Sequence, residues 1–273
     1  MIKQKEYAKR RLQLMEIAGE GSVIIVRGAT EKFRNKDSAY PFRQDSDFLY
    51  LSGFSEPEAM MVLMPQEKGG QSIMFCRERD KLRELWDGER AGTEGVVAQF
   101  GFDEAFPIAD MKRRLPELLQ GCDRVFYDLG KDRDFDQLLI GWLNEFRAKS
   151  RKKYSAPDEI IALDHSLHEM RLFKSRTEIT AMRKSARVAE AAHRRAMQVC
   201  EPGMSEAEIH AELLHTFVSK QCQASYMPIV GGGANACVLH YITNRDPLND
   251  GELLLIDAGA EYDGYASDIT RTF

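Results

Sequence analysis

A chain of 273 residues is long enough for about two domains of roughly 150 residues each. With 43% hydrophobic and 30% charged residues and a net charge of −5, it has the composition of an ordinary globular protein. Its Lys and Arg are scattered among Asp and Glu, which excludes a nucleic-acid stripe and a polybasic membrane anchor, and no run reaches the ~20 apolar residues of a membrane span.

The opening segment, charged throughout, lacks the apolar run of a signal peptide. Residues 5–18 place Tyr7, Leu12, Met15 and Ile17 at spacings that suit a surface helix. Residues 22–26 read as a strand, as do 48–51, 59–64, 72–76 and 124–127, with helices expected at 109–119 and 135–147. This alternation predicts an α/β domain around a parallel or mixed sheet. The basic stretch 149–157 reads as an exposed connection. The domain boundary is expected near Phe173, giving domains 1–172 and 173–273. Just beyond it Ser175 and Glu178 form a capping box that opens a helix through Ile179, Met182, Ala186, Ala189 and Ala196. Glu201-Pro202-Gly203 stops that helix, and a second box, Ser205 with Glu208, starts another through Ile209, Leu213 and Phe217. Strands are then expected at 226–230, 237–243, 252–257 and 265–272, so the second domain is α+β. The five cysteines (Cys76, Cys122, Cys200, Cys222, Cys237) are odd in number and lack C-x-x-C spacing. They are expected as reduced thiols in a cytoplasmic protein.

The chemistry concentrates near the end of the sequence. Asp263-Gly264 signals a two-residue type I′ hairpin turn, because both positions must accept φ > 0. That turn pairs Tyr262 with Tyr265 and Asp257 with Thr270, and sets Gly259 opposite Asp268. Side chains alternate faces, so Asp257 and Asp268 share one face as diagonal neighbours with Cα atoms about 7–8 Å apart. Two carboxylates so placed can converge on a metal ion; two solvated surface aspartates fit the same pattern. Asp257 ends an apolar run, and a buried carboxylate needs a partner or a metal. Gly259 would clear room for something close to the backbone. His240 lies in a strand-like run, where a hydrogen-bonded core histidine and a catalytic one remain open alternatives. Gly231-Gly232-Gly233 lacks the strand-to-helix context and the Lys-Ser/Thr of a phosphate loop and reads as flexible backbone.

Tyr226-x-x-Ile229-Val230-Gly231, Leu239-His240-Tyr241, Ile256-Asp257-Ala258-Gly259 and Asp268-Ile269-Thr270-Arg271-Thr272 together resemble the pita-bread metallopeptidases. The segment from Tyr40-Pro41-Phe42 to Ser52-Gly53-Phe54 resembles, within that family, the N-terminal domain of aminopeptidase P. So do Glu56-Pro57-Glu58-Ala59, Leu85-Trp86-x-Gly88 and His168 to Ser175. The resemblance implies a creatinase/aminopeptidase P N-terminal α/β domain followed by an incomplete pita-bread α+β domain. It implies hydrolysis of the bond between an N-terminal residue and a following proline, a tertiary amide with no N–H to recognise. Asp257 would be a terminal ligand of one of two divalent metal ions, Mn2+ in this branch, and Asp268 a bridge between them. His240 would stabilise the reacting carbonyl, Tyr226 would line the substrate pocket, and Trp86 would reach the active site of another subunit in a dimer or tetramer.

The family's remaining ligands, a histidine and two glutamates, come from later strands, and this sequence stops at Phe273. The expectation is therefore a fragment, inactive alone, that ends on an unfinished apolar sheet edge formed by 253–256, Ile269 and Phe273. Two other readings remain at this point: a prolidase restricted to Xaa-Pro dipeptides, and a non-catalytic peptide-binding or assembly module.

Overall fold

The structure, a computed structural model, describes residues 2–149 and 155–273. Five residues of the connection expected at 149–157 lie outside the described residues. The chain divides into two compact units, residues 2–173 and 174–273.

The first unit runs α1 (Gln4–Ala18), β1 (Ser22–Arg27), the hairpin β2 (Phe33–Asn35) and β3 (Ser38–Ala39), α2 (Ser46–Ser52), β4 (Met60–Pro65) and β5 (Gly70–Cys76). It continues with α3 (Lys81–Asp87), α4 (Gly92–Phe100), β6 (Glu104–Pro107), α5 (Met111–Leu119), β7 (Arg124–Phe126), α6 (Arg133–Lys149), β8 (Glu159–Ile161) and α7 (Asp164–Leu172). Its sheet has six strands in the order β6-β5-β4-β1-β7-β8 and is mixed: β1 pairs antiparallel with β4 and parallel with β7. The unbroken apolar runs of β1, β4 and β5 follow from burial on both faces. Ile24 and Val26 pack with Leu14 of α1, Phe48 and Leu51 of α2 and Leu167 of α7; Val23 and Ile25 pack with Leu115 of α5 and with Phe135, Leu139 and Leu143 of α6.

Two local expectations change. Residues 48–51 are helical, within α2, rather than a strand. The Asp45 side chain accepts hydrogen bonds from the amides of Asp47 (3.0 Å) and Phe48 (2.9 Å), and Gly53 closes the helix at φ +65°. Both signals lie outside the short apolar run, and they decide its conformation. In α1, Leu12 is 43% exposed while Arg11 is only 2% exposed. The Arg11 guanidinium donates to the carbonyls of Leu51 (3.1 Å) and Gly101 (2.6 Å), capping the C-terminal ends of α2 and α4. Burial lowers its pKa to about 10.

The second unit begins with α8 (Arg176–Val199) and α9 (Glu206–Ser219), each opened by its capping box. The strands are β9 (Gln223–Ala224), β10 (Ile229–Gly232), β11 (Leu254–Asp257), β12 (Ala260–Tyr262), β13 (Tyr265–Ala266) and β14 (Thr270–Thr272). They form two three-stranded sheets, β10-β11-β14 and β13-β12-β9. Alanines 189, 192 and 196 of α8 pack with Ile209, Leu213 and Phe217 of α9 and with Val230, Leu254 and Ile256 of the sheet. Fully burying one aliphatic side chain contributes about 1.5–3 kcal/mol. The expected edge is changed in part: β11 is the central strand, with Leu254 and Ile256 buried, while the last strand, β14, is an exposed edge and Leu253 and Phe273 are exposed. It also corrects the strand expected at 237–243. Residues 233–237 form a 3-10 turn and 238–240 continue as a turn, held by Val238 N–H to Asn235 O (3.1 Å) and Tyr241 N–H to Val238 O (3.2 Å).

Candidate functional site

The hairpin around Asp263-Gly264 sets the site's geometry. Asp263 (φ +50°) and Gly264 (φ +80°) both adopt the left-handed conformation. Tyr262 pairs with Tyr265, and the same register carries through to Asp257 opposite Thr270 and Leu255 opposite Thr272. The expected single strand 265–272 is instead split into β13 and β14, which lie in different sheets. The break does not shift the register: Ser267 N–H donates to Ala260 O (2.8 Å) and Ala258 N–H to Ile269 O (3.0 Å). Leu254 and Ile256 turn inward, so Asp257, one position on, projects from the opposite face of β11, half-buried. Asp268 is exposed.

Tyr226 shows that the two carboxylates converge. Its hydroxyl lies 2.5 Å from Asp257 Oδ1 and 3.0 Å from Asp268 Oδ1. Burial, and then donation to these two carboxylates, pushes the phenol well above its ordinary pKa. Neighbouring residues fix this arrangement. Ser225 N–H donates to Gly259 O (3.0 Å) and Ser225 Oγ to Ser267 O (2.9 Å). From α8, Ser185 Oγ donates to Ala260 O (2.6 Å) and His193 Nε2 lies 3.1 Å from Ala258 O, so the helix holds the carbonyls on both sides of Gly259. The space at Gly259 is taken by the facing backbone and not by a ligand: a Cβ there would sit 1.7 Å from Ser267 O.

His240 is exposed, in the turn just before Tyr241. Trp86 belongs to the other unit and is 87% exposed on α3, beside exposed Leu82 and Leu85. Among the described residues, no group of three or more His, Cys, Asp or Glu is arranged to hold a metal ion. Sequence reasoning missed Ser225, Ser185 and His193, and it missed Glu206. For Ser185, His193 and Glu206 the available signal was a polar residue at an inward position of an otherwise apolar or alanine-rich helix face; Ser225, in the bend after β9, carries no such signal.

Residues 7–127 match the aminopeptidase P N-terminal domain and residues 180–273 match metallopeptidase family M24. Between them the two matches take in most of the chain and relate it to aminopeptidase P and the M24 metallopeptidases. It is 41% identical over 274 residues to Xaa-Pro aminopeptidase of Escherichia coli (strain K12), an alignment that takes in 100% of this chain and 62% of that relative. The solved structure of Pseudomonas aeruginosa aminopeptidase PepP superposes with a TM-score of 0.96 at 50% identity, covering 100% of this chain and 62% of the other. Zn-substituted E. coli aminopeptidase P in complex with product matches at 0.96 and 41%, with the same coverage. The chain thus spans about 62% of the length of these relatives. One family match falls within the first unit and the other within the second. No helix among the described residues is long and apolar enough to cross a membrane.

Proposed function

We propose that this chain supplies two metal ligands and part of the substrate pocket of an aminopeptidase that releases the N-terminal residue from peptides with proline in second position. The observation that carries the reading is the approach of Asp257, at the end of β11, and Asp268, between β13 and β14, to the single hydroxyl of Tyr226. This donor set fits a hard divalent cation, since oxygen ligands suit Mn2+, and Zn2+ accepts the same groups. Asp257 would be a terminal ligand and Asp268 a bridging one. The metal pair, when bound, supplies an activated water and polarises the scissile carbonyl.

The chain's own residues would do the rest. His240, exposed on its turn, would hydrogen-bond the reacting carbonyl region of the peptide, and Tyr226 would line the pocket while keeping the carboxylates aligned. Trp86, with Leu82 and Leu85, gives α3 an apolar face suited to an intersubunit contact in a dimer or tetramer. The five free thiols accord with a cytoplasmic setting.

The test is turnover of an Xaa-Pro-Yaa tripeptide by the full-length enzyme with added metal. Asp257→Asn and Asp268→Asn should each abolish it, and undiminished turnover in either variant would refute the assignment. Activity confined to Xaa-Pro dipeptides would point to a prolidase instead.

A further inference from the structure

Glu206 is the first residue of α9 and is 0% exposed. A buried carboxylate is costly unless its lone pairs are filled. Here Oε1 accepts from Gly232 N–H (2.9 Å) and Asn235 Nδ2 (3.0 Å), and Oε2 accepts from Tyr241 OH (2.8 Å), Arg245 N–H (2.9 Å) and Asp246 N–H (3.0 Å). Burial alone would push the carboxyl up; these donors outweigh it and hold it below the ordinary value, so it stays ionised. A carboxylate serving only the positive end of its own helix would bond to that helix's amides. None of these five donors belongs to α9. All lie in residues 232–246, on both sides of His240.

Apart from these bonds the loop is held by polar ties rather than by packing. Val238, Leu239 and Ile242 are all exposed, so apolar burial does not fix its position. Backbone bonds from Gly233 N–H to Leu253 O (2.9 Å) and from Glu206 N–H to Asp246 O (3.0 Å) anchor its ends, and the Asn244 side chain accepts from Val230 N–H (2.9 Å) and donates to Pro228 O (2.8 Å). Asn235 Nδ2 also reaches Tyr241 Oη (3.0 Å) and Asp246 Oδ2 (2.8 Å), linking the two arms of the loop to each other.

We propose that Glu206 is a positioning residue, whose buried carboxylate clamps both arms of the 232–246 loop and thereby fixes His240 relative to β10 and β11. The proposal rests on the reading of His240 as a site residue. Glu206→Gln keeps the size and packing of the side chain but sets an NH2 group against converging donors. In the 273-residue chain it should speed amide exchange at Tyr241, Arg245 and Asp246 by at least about tenfold, while core amides of α8 and α9 change far less. The ring resonances of His240 should narrow as the side chain gains motion, a signature that a purely structural carboxylate would not produce. Tyr241→Phe leaves α9 and its carboxylate in place and should loosen the His240 ring in the same sense; it decides the matter if Glu206→Gln does not fold. Unchanged loop exchange and an unchanged His240 ring would overturn the clamp, and so would exchange that rises uniformly across α8, α9 and the loop. The reading of His240 fails by a separate result: His240→Ala leaving Xaa-Pro turnover of the full-length enzyme unaltered.

Discussion

A methyl group at Gly259 would meet not only the Ser267 carbonyl oxygen at 1.7 Å but also Ser225 Oγ at 2.5 Å. Gly259→Ala should therefore force the facing strands apart and cost about 3 kcal/mol, read as a lowered urea midpoint with loss of the Tyr226 contacts. Glu206 carries a pH dependence whose sign follows from its lowered pKa. The ionised form is favoured in the folded state, so its contribution is complete above the unfolded carboxyl value of about 4.3 and is lost as pH falls through the lower folded value. Urea midpoints of the parent and of Glu206→Gln should differ most at neutral pH and draw together as the pH falls below the ordinary carboxyl range. The common face of Asp257 and Asp268 was legible in the sequence, because period-two alternation and an Asp-Gly turn determine which side chains share a face. The setting of His240 was not. The loop around it is shaped by bonds to Glu206, more than thirty positions earlier, which no local pattern reveals.

Among the secondary-structure elements, those with their signals inside the segment were legible. Both capping boxes form, with Ser175 Oγ accepting from Glu178 N–H (3.2 Å) and Ser205 Oγ from Glu208 N–H (3.3 Å). β1, β4, β5 and β7 were legible as apolar runs because each is buried on both faces. α2 was not, since four apolar residues fit a strand or a helix equally well. Its conformation is decided by Asp45 before the run and Gly53 after it. Asp45→Ala should accordingly destabilise the first unit by about 1–2 kcal/mol, measurable by urea unfolding. In α1 the buried Arg11 caps two helix ends from inside the core, a role that the apolar spacing of the helix does not show.

At the scale of the whole molecule, the division near residue 173 separates two sets of buried side chains. The first unit has a sheet covered on both faces, which is the condition for folding alone. We expect residues 1–172, expressed by themselves, to melt in one cooperative transition; a featureless melt would move the domain boundary. The 273-residue chain should bind Mn2+ only weakly, because two carboxylates leave most of an octahedral shell to water. Isothermal titration showing tight uptake of two ions would contradict this. The unbroken register between Asp257 and Asp268 also limits how this stretch can vary. It acts as a gauge of fixed length: substitutions change its surface, but one residue added or removed would turn one carboxylate away from the other. The segment should therefore tolerate changes of spelling far better than changes of length, and loop grafts or tags placed within it would disconnect the two aspartates without touching either one.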